Sequence, residues 1–447
     1  MVLPSLMRLW TSLRIIRNGG SVIETILDLH IHSKYSRACS KDLLLPNIAT
    51  ACEERGINIV ATGDFTHPAW FAHLKEELFE ERAGMYALKN AGSNIRFVIG
   101  TEVSSIKKHG GETRRVHHLI FAPNLQIAQK FSAALESRGC NIRADGRPIL
   151  GITSKDLLSL MLGIDEKMVM IPAHAWTPWF GIFGSKGGYD SLEECFEDLT
   201  PHIFAIETGL SSDPLMNRRW SKLDQITLIS NSDAHSLQKL GREANVMRFA
   251  RDEDITYDEI IRNIRVGGSN GFPYTIEFYP EEGKYYLDGH ADCRFVCAPK
   301  ETKRYGGCCP KCKKPLTIGV MNRVEELADR SDEEAKKILS EKIPFRSLVP
   351  LPEIIADTFD VGVASKSVVK MYDTLIKKVG NEFFILLHAS LEDIARASTA
   401  EIARAIDRVR TGQITVKPGY DGIFGVVKVF GEAEDRGGVK QGKLLLE

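Results

Sequence analysis

The sequence predicts an α/β protein: a barrel of seven strands alternating with helices, then a small cysteine finger and a helical carboxy-terminal region. Three observations carry this. Seven short apolar runs alternate with helix-length segments between residues 25 and 237, and five of the nine cysteines crowd between Cys293 and Cys312. Beyond Asn322 the pattern turns helical, with a proline-marked break at Pro350 and Pro352.

The apolar runs cover residues 26–31, 57–62, 97–103, 117–121, 169–173, 203–207 and 226–230. Runs this short, separated by helical segments, predict parallel strands buried on both faces, and seven of them predict a barrel. In such barrels the chemistry sits where strands give way to loops. Polar residues cluster at those ends. Asp28, His30 and His32 interleave with the first run, and Asp64 and His67 follow the second. Glu102 ends the third, His118 opens the fourth, His174 closes the fifth, and Asp233 and His235 follow the last.

A lone histidine at a strand end is most often a hydrogen-bonded packing residue. Five independent clusters at successive strand ends reverse that reading. On a strand, His30 and His32 point to one face while Ile31 enters the opposite core. Imidazoles and carboxylates converging from different strands are what a hydrolytic metal centre needs, with positions left open for water and a phosphate oxygen. A carboxylate such as Glu102 can bridge two cations, and a bound water whose pKa falls toward about 7 supplies the hydroxide that attacks phosphorus. Glu102, Asp233, His174 and Asp64 are the catalytic candidates of a metal-dependent phosphoesterase.

The ordered motifs Asp28 to His32, Gly100-Thr101-Glu102, His118-Leu119-Ile120, Pro172-Ala173-His174 and Ser232-Asp233-Ala234-His235 resemble those of the polymerase and histidinol phosphatase (PHP) domain. The resemblance implies a distorted seven-stranded barrel with two or three metals. It assigns His30, His32, Glu102 and Asp233 to one metal, and Glu102, His118 and His174 to a second. Alternation sends His117 and His118 to opposite faces, and the His-Leu-Ile register selects His118. A third set, Asp64, His67 and His235, departs from the pattern because Ala38 stands where a ligand is usual.

Cys293, Cys297, Cys309 and Cys312 resemble a zinc ribbon, with His290 as an alternative to Cys297. Seven basic residues against one acid between Arg294 and Lys314 suit a nucleic-acid backbone. The loop Ala175 to Gly188 carries aromatics that either anchor the loop or wedge into a base stack. Together with the Ser211 to Pro214, Gly241 to Asn245, Arg323 to Asp329 and Lys417 to Gly422 segments, these features resemble the endonuclease Q family. That resemblance implies nicking of DNA on the 5′ side of deaminated bases (uracil, hypoxanthine, xanthine) and abasic sites. The substrate-binding candidates are Trp176, Trp179, Phe180, Ser185, Lys186, Asp213, Arg242 and Tyr420.

The expected organisation is an amino-terminal extension (1–24), a phosphoesterase domain (25–285), a finger (286–320) and a helical DNA-binding domain (321–447). Expected cofactors are zinc, at the active centre and in the finger, with magnesium or manganese as alternatives at the active centre. Damaged DNA is the expected partner, and replication or repair proteins are further candidates. No apolar run approaches the roughly 20 residues that cross a bilayer, and residues 1–18 lack the features of a secretory signal. Clustered rather than paired cysteines point to a reducing, cytoplasmic compartment. A net charge of −1 decides nothing about nucleic acid. The rivals are a small-molecule phosphatase acting on a histidinol-phosphate-like ester and a non-catalytic DNA-binding adaptor. The phosphatase leaves the finger and helical region unexplained.

Overall fold

The computed structural model describes residues 13–17, 20–90 and 92–431. Most of the expected extension lies outside them, but its described part is already strand. β1 (Leu13–Arg17) and β2 (Gly20–Asp28) form an antiparallel hairpin. A helix over Leu45–Arg55 follows, with Pro46 in its first turn, where the missing N–H costs nothing, and Gly56 ending it at φ 87°. The chain then enters β3 (Ile59–Ala61), parallel to β2.

β4 (Leu78–Arg82) and β5 (Met85–Leu88) extend one edge of the sheet. β6 (Arg96–His109) lies parallel to β3. β7 (Glu112–Ala122) returns antiparallel along β6 over its whole length. This corrects the expectation of a uniformly parallel sheet. No helix separates the third and fourth runs, because Gly110 and Gly111, both at positive φ, turn the chain in two residues. β8 (Ile149–Leu150) flanks β6, and β9 (Val169–Pro172) pairs antiparallel with β7. β10 (Ala205–Glu207) and β11 (Thr227–Ile229) pair parallel with each other. A further strand that the apolar runs did not predict, β12 (Ala244–Phe249), pairs antiparallel with β2 and carries β13 (Tyr274–Glu277).

Leu27, Ile59, Val98, Leu119, Ile171, Ala205, Ile229 and Met247, one side chain from each of β2, β3, β6, β7 and β9 to β12, meet in one buried cluster. A second, larger cluster fills the space between sheet and helices and takes in Ile31. Each truncation to Ala of a large side chain there costs about 2–5 kcal/mol. Above the inner cluster a parallel bridge joins Ile31 to Ala234, and His32 N donates to Ala234 O at 3.1 Å. That bridge sets His30-Ile31-His32 beside Asp233 and His235.

Among the described residues beyond 350, five helices, Leu351–Phe359, Lys366–Lys378, Glu382–Leu387, Leu391–Ala397 and Ala400–Arg410, form the carboxy-terminal region. The stretch 391–410 holds two helices rather than one, because Thr399 caps the second by accepting from Ile402 N. Buried Arg55 ties this region to the Leu45–Arg55 helix and the turn at Gln238, donating to Glu382 Oε2 at 2.9 Å and Gln238 O at 2.8 Å. Glu382 also accepts from Tyr372 Oη and Leu351 N.

Candidate metal centre

His30, His32, Glu102 and Asp233 bring one ligand atom each within 4.8 Å of one another, and Glu102, His117 and His174 do the same. Glu102 is common to both sets. Its Oε2 faces His30 Nε2 at 3.5 Å and His32 Nε2 at 3.2 Å; its Oε1 faces His117 Nδ1 at 2.8 Å and His174 Nε2 at 3.1 Å.

The imidazoles are oriented from behind. Glu207 accepts from His30 Nδ1 at 3.1 Å and from the backbone N of His174 at 2.8 Å. Asp64 accepts from His32 Nδ1 at 3.1 Å, while the Ser33 backbone N, Ser33 Oγ and Ser36 Oγ donate to its other oxygen. Such outer carboxylates fix the tautomer and aim the opposite nitrogen at a cation. His30 Nε2 is accordingly buried with no hydrogen-bond partner. An imidazole lone pair held beside carboxylates repels them unless positive charge intervenes.

The electrostatics say the same. Burial pulls His30 and His32 down, but Glu207, Asp233 and Glu102 around the first and Asp64 and Asp233 beside the second hold both well above the ordinary histidine value. Burial pushes Glu102 and Asp233 up, but His117, Arg147 and His30 for Glu102, and His30 and His32 for Asp233, hold both below the carboxylate range. A cluster that draws protons this strongly fits a divalent cation, and its mixed nitrogen and oxygen donors suit zinc or manganese.

Asp64, His174 and Asp233 all stand at positive φ (48°, 30° and 47°), a region that costs a non-glycine residue about 1–3 kcal/mol.

The second set departs from expectation. His118 points away, its Nε2 2.8 Å from Ser154 Oγ and its ring beside Phe196, and burial pulls it down to about 3. His117 is the residue that joins Glu102 and His174. Directly opposed residues of an antiparallel pair share a face, and Leu119 opposes Glu102. Counting from Glu102 across the hairpin therefore selects Leu119 and His117. The third set does not assemble either. Asp64 is spent on His32, Ser33 and Ser36; His67 stacks on Tyr35 at 4.5 Å; His235 Nδ1 donates to the Asp233 carbonyl at 2.8 Å.

A cleft of about 410 Å³ opens above both sets, lined by Arg147, His117, His174, Trp179, Phe180 and Asp233 among others. Trp179 is 41% exposed and meets Tyr285 edge-on at 5.2 Å, and Phe180 stacks on His117 at 4.4 Å. Trp176 is fully buried and donates to Asn217, so it anchors the loop and cannot reach a ligand. Asp213 is likewise not at the cleft: it caps the helix Pro214–Arg218. Arg242 donates to Ser232 O behind Asp233, Ser185 and Lys186 are exposed, and the Tyr420 ring packs on Gly289. Sequence reasoning missed Glu207 and Arg147. Glu207 ends the sixth run as Glu102 ends the third, and that parallel was its signal.

In the finger, β14 (Asp288–His290) pairs antiparallel with β15 (Phe295–Cys297), and His290, Cys293, Cys309 and Cys312 converge within 4.8 Å. Cys297 is outside this set. Its thiol is buried 3.3 Å from Thr302 Oγ1, so His290 replaces it. Beyond it lie β16 (Phe345–Ser347), parallel to β13, and the β17 (Thr415–Lys417) and β18 (Val426–Lys428) hairpin.

The family described as "MJ0043 C-terminal domain" matches residues 350–413. The uncharacterized protein MJ0043 of Methanocaldococcus jannaschii is 30% identical over 258 residues, 57% of this chain, which spans only 31% of that longer protein. The uncharacterized protein YqxK of Bacillus subtilis is 30% identical over 423 residues, 90% of this chain and 98% of its own length. The lesion-specific endonuclease PfuEndoQ of Pyrococcus furiosus superposes with a TM-score of 0.79 at 30% identity, covering 91% of this chain and 95% of that one. Endonuclease Q in complex with a 27-mer duplex carrying an abasic lesion at the active site gives 0.77 at 31%, covering 91% and 96%. Matching fold and nearly equal length over nine-tenths of the sequence place this chain in the endonuclease Q family.

Proposed function

We propose that this protein is a metal-dependent endonuclease of DNA repair that nicks the strand 5′ of abasic sites and of deaminated bases, uracil, hypoxanthine and xanthine among them. The observation that carries the reading is the pair of donor sets sharing Glu102 at the floor of an open cleft. A solved relative that holds an abasic duplex at its active site supports the choice of substrate. The eight strands around the inner cluster are read as a distorted barrel whose upper rim bears the donors.

Bound cations would supply an ionised water near neutral pH and neutralise phosphate charge. The chain's own residues do the rest. Glu207 and Asp64 keep His30 and His32 in the tautomer that leaves Nε2 free. Thr177 Oγ1, 2.9 Å from His174 Nδ1, does the same for His174. Trp179 and Phe180 form one wall of the cleft. Incubation with labelled duplexes containing uracil, hypoxanthine or an abasic site, followed by mapping of the cut, tests the reading. Intact strands with every cation tried would defeat it.

Trp179, exposed at the cleft, is read as the side chain that fills the gap left when a lesion leaves the stack. Extrusion costs a few kcal/mol, less for a poorly paired base. Trp179→Ala is expected to slow nicking of paired uracil by about tenfold while changing nicking of single-stranded uracil DNA far less, since one base–aromatic contact contributes about 1–3 kcal/mol. Equal slowing of both substrates in single-turnover assays would return Trp179 to loop packing.

The finger is read as a structural zinc site closed by three thiolates and one imidazole. Cys309→Ser or His290→Ala should release about one zinc per chain and weaken DNA affinity, while Cys297→Ser should retain it. Elemental analysis of the three variants distinguishes the two ligand sets.

A further inference from the structure

We infer that Arg147 is a catalytic residue of this site, its guanidinium standing beside Glu102 at the cleft and binding the phosphate under attack. The inference deepens the phosphodiesterase reading and rests on it. The donors expected for a third cation do not converge, and the loop 143–148 packs against one of them, Asp64. A Cβ at Gly146 would lie 2.3 Å from both Asp64 Oδ2 and Ser36 Oγ, so only glycine lets the backbone press this close. Gly146 N donates to Tyr35 O at 3.0 Å, and Asp145 accepts from the backbone N of both Arg37 and Arg147.

That fixed loop delivers Arg147. Its Nη1 lies 3.1 Å from Glu102 Oε2, the oxygen that also faces His30 and His32. The side chain is 25% exposed and lines the cleft beside His117, His174 and Asp233. A guanidinium carries five donors in a rigid fork, and one contact to Glu102 leaves others for the nonbridging oxygens of a phosphate. It stays protonated and makes or breaks no bond; it offsets charge that grows on those oxygens in the transition state. Arg37 also lines the cleft, but its side chain is 77% exposed and paired with Asp145, so it is not pre-aimed.

The test uses the full chain loaded with its cations, as wild type, Arg147→Ala and Arg147→Lys. Binding of inorganic phosphate is read by calorimetry, cation content by elemental analysis, and nicking on an abasic duplex. Arg147→Ala is expected to bind phosphate at least about tenfold more weakly and to nick about 10²–10³-fold more slowly, with cation content unchanged. Added guanidinium ion should restore part of the nicking, and sodium at the same concentration should not. Arg147→Lys, which keeps the charge and guards against a folding failure, should fall between. Wild-type phosphate affinity in Arg147→Ala, or a loss that follows cation content and is cured by excess cation, would overturn the assignment. A wild type that binds phosphate through Arg147 yet nicks no duplex would overturn the nuclease reading and leave Arg147 standing.

Discussion

Glu102→Gln is expected to lower nicking by about 10³-fold or more, equivalent to about 4 kcal/mol of transition-state stabilisation. The amide keeps the shape of the side chain and removes the charge common to both donor sets. Oε1 and Oε2 each face two imidazoles, so neither set survives the change intact. Cation content should drop with turnover, while affinity for an abasic duplex, read by fluorescence anisotropy, should change little. Wild-type turnover in the loaded variant would mean that the chemistry lies elsewhere.

His117→Ala and His118→Ala should give opposite profiles although the residues are adjacent. Loss of His117 removes a donor facing Glu102 and His174, so turnover is expected to fall at least about 10²-fold with thermal stability nearly unchanged. Loss of His118 leaves Ser154 Oγ without its partner and opens a cavity against Phe196, which should cost about 1–3 kcal/mol of stability and little activity. Thermal denaturation and single-turnover nicking, measured on both, settle the assignment. The reverse pattern would restore His118 as the ligand.

That pair also marks where the sequence stopped being legible. All seven predicted runs are strands, and His30, His32, Glu102, His174 and Asp233 do converge, because a two-residue period and strand ends survive in one dimension. Strand direction does not. The Gly110-Gly111 turn reverses β7, and which of two adjacent histidines faces the site depends on pairing across that turn. Asp64 was legible as part of the site, but its place behind His32 follows from Ser33 and Ser36 donating to it, which only folding brings about. Arg147 had no signature, since it comes from a loop without a motif and meets Glu102 from 45 residues away. In the finger, the thiol spacing suggested four cysteines, and the β14–β15 hairpin instead turns Cys297 toward Thr302.

The left-handed backbone at Asp64, His174 and Asp233 bears on which substitutions a population of variants would keep. Glycine, and to a lesser degree asparagine, occupies that conformation at little cost, so glycine at any of the three relieves about 1 kcal/mol. At Asp64 that relief is outweighed by the hydrogen bonds lost from His32, Ser33 and Ser36, but a screen that rewards folding alone would favour glycine at His174 and Asp233, and every favoured clone would have lost a donor. Retention of His and Asp against that pressure is what selection for chemistry, as opposed to selection for stability, would look like at those two positions.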